Sequence, residues 1–159
     1  MGDLLEYGRQ RVVVITGADR GLGLALVQEY LKRGDRVFAG KYGKNWNLLE
    51  KLKDSFPETL SIVDLDVRRD ESVAKAADFI LERTDAIDIL INNAAVWKEQ
   101  NTGTILENKM NYEAIMEQFD VNALGALRVT HALIHAVLNS FDQLVVNVSS
   151  EAGSMSECT

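Results

Sequence analysis

An apolar run, Val12-Val13-Val14-Ile15, ends on Thr16-Gly17-Ala18-Asp19-Arg20-Gly21-Leu22-Gly23, and an amphipathic stretch follows at once. Here a buried strand has to stop, turn and restart as a helix, which few backbones can do so abruptly. Gly17 allows the tight turn, Gly21 lets backbone N–H groups approach a ligand with no Cβ in the way, and Gly23 lets the new helix pack closely on the sheet. A helix start carries about half a positive charge together with unpaired N–H donors, so an anion belongs there. The spacing and its strand-to-helix setting imply a cradle for a dinucleotide pyrophosphate.

Length and charge narrow the setting. The 159 residues give room for one domain with a sizeable core, and 47% of them are hydrophobic. With a net charge of −7 and no Lys/Arg cluster, nucleic acid and anionic membrane surfaces are not expected partners. The opening Met1-Gly2-Asp3-Leu4-Leu5-Glu6 has no basic n-region, and Glu6 stands where a myristoylation signal needs Ser or Thr. Cys158 is the only cysteine, which leaves no internal disulfide and no cysteine metal site. His131 and His135 share a helical spacing, but Ala132 replaces the Glu of a zinc motif and no third ligand is evident, so no metal is expected. Residues 121–138 are mostly apolar but are interrupted by Asn122, Arg128, His131 and His135, which argues against a membrane span. A cytoplasmic protein is expected.

Strand-like runs at Val12–Thr16, Val37–Gly40, Leu60–Val63, Ile87–Asn92 and Leu144–Val148 alternate with amphipathic stretches near Gly21–Arg33, Asn45–Asp54, Asp70–Arg83 and Tyr112–Asn139. Short, β-branched, almost wholly apolar strands suit parallel pairing with both faces covered. Helical crossovers between them predict an α/β fold, a doubly wound parallel sheet of Rossmann type with helices on both faces. Lys98–Asn111 is the least regular connection; it is either a functional loop at the ligand-binding edge of the sheet or a solvated connector.

These residues resemble the short-chain dehydrogenase/reductase family over nearly the whole chain. Thr16-Gly17-xxx-Gly21-x-Gly23 is similar to its cofactor glycine motif, and Asp66-Val67 to the pair that touches the adenine ring. Asn92-Asn93-Ala94-Ala95 resembles its Asn-Asn-Ala-Gly motif, Asn122 its helix asparagine, and Val146-Asn147-Val148-Ser149-Ser150 the strand that delivers its catalytic serine. The resemblance implies strand order 3-2-1-4-5, an NAD(P)(H) cofactor, and hydride transfer between the nicotinamide and a small carbonyl or alcohol substrate. It also implies a homo-oligomer, a dimer or tetramer, for the full-length protein. Ser150 would bond the substrate oxygen and Asn122 would help hold a proton-relay water. Gly17, Asp19, Arg20, Gly21, Leu22, Gly23, Asp66, Val67, Asn93, Ala94 and Ala95 would surround the cofactor. Read by themselves, Ser149 and Ser150 are also ordinary turn residues, and Trp97 either lines a substrate pocket or covers the sheet end.

Two departures stand out. Ala95 occupies the place of the motif's Gly, and no Tyr-xxx-Lys occurs: four places after Tyr7, Tyr30, Tyr42 and Tyr112 come Arg11, Gly34, Trp46 and Met116. The Leu144-Val145-Val146 strand also calls for a further neighbour and cover. The chain is therefore expected to be the N-terminal portion of a longer polypeptide, with a fold incomplete at its C-terminus, and to bind cofactor at best when alone. No acid lies between Asp35 and Glu50 to accept a ribose 2′-hydroxyl. Arg20 resembles a basic position that family members use for the 2′-phosphate of NADP, and Lys41 is expected to approach the same phosphate, which favours NADP over NAD. The competing expectation is a dinucleotide-binding regulator, or an inactive fragment, without chemistry.

Overall fold

The computed structural model describes residues 8–43, 46–98 and 110–150. Most of the irregular connection after Lys98 lies outside the described residues, as do Asn45 and Cys158. In chain order the elements are β1 (Val12–Ile15), α1 (Gly21–Lys32), β2 (Arg36–Lys41), α2 (Leu48–Ser55), β3 (Leu60–Asp64), α3 (Asp70–Leu81), β4 (Ile89–Asn92), α4 (Tyr112–Phe119), a π-helical segment Asp120–Gly125, α5 (Ala126–Leu138) and β5 (Leu144–Asn147).

The strands form one parallel sheet in the order β3-β2-β1-β4-β5, as the resemblance implied. Successive side chains point to opposite faces, so apolar strands feed two cores at once. Val14, Phe38, Val63 and Leu90 pack with Val73, Ala77 and Ile80 of α3 and with Val129, Leu133 and Val137 of α5. Val13, Ile15, Val37, Ala39, Leu60, Ile89 and Ile91 meet Val27 and Leu31 of α1 and Leu49 of α2 on the other face. Among the described residues β3 and β5 are the edge strands; Leu144 in β5 and Val148 just after it are exposed.

The long apolar stretch departs from the uniform helix expected over Tyr112–Asn139. It is one continuous helical path of 27 residues, Tyr112–Leu138, widened into a π-helical segment at Asp120–Gly125. Length and composition alone would let it cross a membrane, yet Val121, Val129, Leu133, Ala136 and Val137 are buried in the core. Gly125 accounts for the close approach there, since a Cβ on it would lie 2.7 Å from Val67 Cγ2. Single-turn π-helical widenings occur mostly inside α-helices and frequently at functional sites, and this one carries Asn122.

Two buried carboxylates close the amino-terminal edge of the sheet. Asp35 accepts from the Arg11 N–H (3.0 Å) and pairs with its guanidinium (3.2 Å). Asp88 accepts from the Val12 N–H (2.8 Å) and pairs with Arg9 (2.8 Å). Burial pushes the Asp88 carboxyl up, but the Arg9 guanidinium and the Val12 N–H outweigh it and leave the group below its ordinary value. A carboxyl depressed in the folded state stabilises at pH above its unfolded value, near 4, and loses that contribution as pH falls through the folded one. Asp88→Asn is therefore expected to cost about 1–2 kcal/mol at neutral pH. In urea titrations the gap from wild type should narrow on acidification from pH 5 to about pH 3; a gap independent of pH would contradict the assignment.

Candidate functional site

The carboxyl ends of β1, β2, β3 and β4 meet around a cleft of about 740 Å³. This is the edge at which parallel sheets bind ligands, and it lies where the connections from β1 and β4 diverge. Its floor is a clamp between two loops. The buried Thr16 hydroxyl accepts from the N–H groups of Asn93 (3.0 Å) and Ala94 (2.9 Å), while Asn93 Nδ2 donates to the carbonyls of Thr16 and Gly17, both at 3.0 Å. The Ala18 N–H is anchored in turn on the Gly40 carbonyl of β2 (2.8 Å).

The glycine motif works through contact as well as conformation. Gly17 has φ +62°, and a Cβ on it would come within 2.8 Å of Ala94 Cα. At Gly23 a Cβ would collide with the Gly17 carbonyl and lie 2.6 Å from Asn93 Nδ2, so the α1 backbone rests directly on the clamp. Gly21, Leu22 and Gly23, the first turn of α1, face the cleft, and the Arg20 side chain makes no capping bond to it. Those N–H donors are thus available to an anion. The Cβ-free cradle fits a pyrophosphate on the structure's own geometry.

Asp19, Arg20, Asp66, Val67, Ala94 and Ala95 line the same cleft. Asp19 is buried and accepts from the Gly43 N–H just past β2 (3.2 Å). Arg20 is exposed, its guanidinium 5.9 Å from the centre of the Trp46 ring. Asp66 receives both Nε and Nη2 of Arg68 at 2.9 Å, and that guanidinium holds its carboxyl below the usual range. Lys41 stands apart: its ammonium pairs with Glu50 and is not among the lining groups. Glu50 lies nine positions along the sequence from Lys41, and the turn into α2 folds it back on the lysine, an encounter the linear sequence does not display.

Neither Ser150 nor Asn122 lines the cleft. Asn122 spends its whole amide on one peptide, accepting from the Val96 N–H (2.9 Å) and donating to the Val96 carbonyl (3.0 Å). That pairing ties the π-helical segment to the cleft-lining loop after β4. Ser150 is exposed at the carboxyl end of β5. β5 is joined to β4 there by Asn92 Nδ2, which donates to Asn147 Oδ1 and to Thr130 Oγ1, both at 2.9 Å. Trp97 is an exposed lining residue. Tyr42, Arg68, Lys98 and Glu117 also line the cleft and were not foreseen, although Arg68 directly follows the Asp66-Val67 pair.

A family model described as short chain dehydrogenase matches residues 11–158. The chain belongs to the short-chain dehydrogenase family. Among its relatives, the short-chain dehydrogenase anuI of Penicillium roqueforti is 32% identical over 89% of this chain and 56% of its own length. Human retinol dehydrogenase 16 is 35% identical over 96% and 47%, respectively. Among solved structures, an NADPH-bound carbonyl reductase from chicken fatty liver superposes with a TM-score of 0.78 at 29% identity, covering 93% of this chain and 62% of that one. A short-chain dehydrogenase from Streptomyces avermitilis gives 0.79 at 26% identity, covering 92% and 52%. The chain thus spans about half the length of the curated relatives it matches.

In this family member Gly23 leaves no slack for a side chain. Gly23→Ala is expected to lower stability by about 2–3 kcal/mol, because the atoms it meets are backbone and a clamped amide. Chemical denaturation measures this, and a loss below about 0.5 kcal/mol would mean that the α1–clamp contact is not tight in solution.

Proposed function

We propose that this chain binds NADP(H) in preference to NAD(H). In the whole polypeptide, the complex would act as an oxidoreductase on a small carbonyl or alcohol substrate. The observation that carries the reading is the cleft itself, in which a glycine cradle and the first turn of α1 adjoin Arg20. No acidic side chain occurs within β2, whose sequence is Arg-Val-Phe-Ala-Gly-Lys. A chicken carbonyl reductase with bound NADPH, and an Escherichia coli enzyme whose name is NADP-dependent 3-hydroxy acid dehydrogenase, lend support.

When bound, the cofactor would supply the hydride chemistry; the first turn of α1 would hold its pyrophosphate and Arg20 would meet the 2′-phosphate. Ser150 donates a hydrogen bond to the substrate oxygen and stabilises the charge that develops there. Asn122 acts through Val96, keeping the loop after β4 in register with the helix. We place the protein in the cytoplasm as a homo-oligomer; the exposed Tyr112, Met116, Phe119 and Leu127 of the long helix support an association surface.

Asp19 favours a second reading, because a buried carboxylate on the cleft wall is a suitable acceptor for the 2′-hydroxyl of NAD(H). Fluorescence titration with both reduced cofactors separates the two. NADPH is expected to bind more tightly, and Arg20→Ala to weaken it about 10- to 100-fold while leaving NADH unchanged, since a charge-assisted bond contributes roughly 1.5–3 kcal/mol. Tighter binding of NADH by the wild type would transfer the assignment to NAD(H).

The role of Ser150 is tested in the whole polypeptide with NADPH and a panel of aldehydes and ketones. Ser150→Ala is expected to lower kcat about 10²- to 10³-fold with cofactor affinity unchanged. A variant that retains wild-type turnover would remove the serine from the mechanism.

A further inference from the structure

The loop that leaves the carboxyl end of β4 is fastened to the long helix on either side of a single residue, Trp97. Before it, Asn122 Oδ1 accepts from the Val96 N–H (2.9 Å) and Asn122 Nδ2 donates to the Val96 carbonyl (3.0 Å). After it, Gln118 Oε1 accepts from the Lys98 N–H (3.3 Å), and the Lys98 ammonium pairs with Glu117 (3.4 Å). Gln118 and Asn122 lie four positions apart along one helical path, so the backbone on both sides of Trp97 is held from the same support.

The ring carried by this backbone is free of the support. Val96 packs against the core, whereas Trp97 is 77% exposed and lines the cleft. An indole this open is no cover for the end of the sheet. With its backbone fixed, only two side-chain torsions remain to be ordered when something binds, which makes such a ring a low-entropy contact surface. β4 pairs with β5, whose carboxyl end leads to Ser150, so the ring stands on the side of the cleft assigned to the substrate.

The wall around the ring is electrically balanced. Glu117 pairs with both Lys98 (3.4 Å) and Arg68 (3.1 Å), and Arg68 also pairs with Asp66 (2.9 Å). Two cations face two carboxylates, and a charged group arriving here would lose its water without finding an unmatched partner among them. Apolar Val96 and Val121 line the same cleft. A flat indole in such a setting gains most from another flat face, because offset or edge-on ring pairs add to the area they bury.

We infer that Trp97 is a stacking platform for the substrate, and that the substrate is an uncharged aldehyde or ketone, or the matching alcohol, bearing an aromatic or conjugated planar group. The inference rests on the proposed oxidoreductase function and deepens it by naming the substrate class. Trp97 touches the substrate; Asn122 and Gln118 are positioning residues that act through the loop.

The test uses the whole polypeptide with saturating NADPH and compares naphthaldehyde with hexanal. Wild type is expected to favour naphthaldehyde in kcat/KM. Trp97→Ala is expected to lower that value about 5- to 20-fold, chiefly through KM, and to change the value for hexanal less than about twofold. Trp97→Phe keeps a flat ring and is expected to retain most of the preference. Naphthamide, which has the ring but no aldehyde, is expected to bind the NADPH complex more weakly by the same factor in Trp97→Ala, measured by calorimetry. Equal losses on both aldehydes, or an unchanged preference, would overturn the platform. Weaker NADPH binding by Trp97→Ala would assign the ring to the cofactor and overturn it too. A wild-type preference for carboxybenzaldehyde over benzaldehyde would overturn the uncharged class. Wild-type protein that reduces no aldehyde or ketone would instead bring down the oxidoreductase reading on which the platform depends.

Discussion

The Thr16 hydroxyl, almost fully buried between β1 and β4, is the point on which the site depends. It accepts from two consecutive N–H groups, those of Asn93 and Ala94, while Asn93 returns two hydrogen bonds to the carbonyls of Thr16 and Gly17. Buried polar groups must be paired, and a side chain that satisfies neighbouring backbone locks that backbone in place. The β1 turn and the loop after β4 are therefore one rigid piece. The α1 backbone can sit on it only because Gly23 has no Cβ, and the cradle for an anion follows from that contact.

The same economy recurs at the other corners of the sheet. Carboxylates from the ends of β-loops take up N–H groups that would otherwise be orphaned, Asp35 at Arg11 and Asp88 at Val12. Side-chain amides do the equivalent at the carboxyl end: Asn92 bonds Asn147, and Asn122 bonds both groups of the Val96 peptide. Each asparagine of the family's motifs thus first serves to align strands and loops. Asn122 makes its two bonds from the widened turn at Asp120–Gly125, where Gly125 seats closely on Val67.

Electrostatics divides the cleft into two ends. Around the glycine turn the available partners are backbone donors and the exposed Arg20, which suits a multiply charged ligand. At the far end Arg68 is neutralised by Asp66 and Glu117, leaving planar and apolar surface. A charged centre flanked by a flat, less polar wall matches a nucleotide, whose phosphates and base make opposite demands on solvent.

The parallel sheet and its two-faced core were legible in the sequence as short, almost wholly apolar runs alternating with amphipathic stretches, and the strand order followed from the family resemblance carried by the glycine turn and the short motifs at strand ends. Lys41 and Arg68 mark where that legibility stopped. Which carboxylate a long cationic side chain meets is decided by how separate segments fold together, so Glu50 captured Lys41 and Asp66 with Glu117 captured Arg68. The π-helical widening escaped as well: the apolar periodicity of Tyr112–Leu138 carries no mark of it, and the close contact of Gly125 with Val67 joins segments far apart in the chain. Periodicity and backbone permission belong to neighbouring residues and are written along the chain, whereas charge pairing and side-chain aim belong to residues brought together only by the finished sheet.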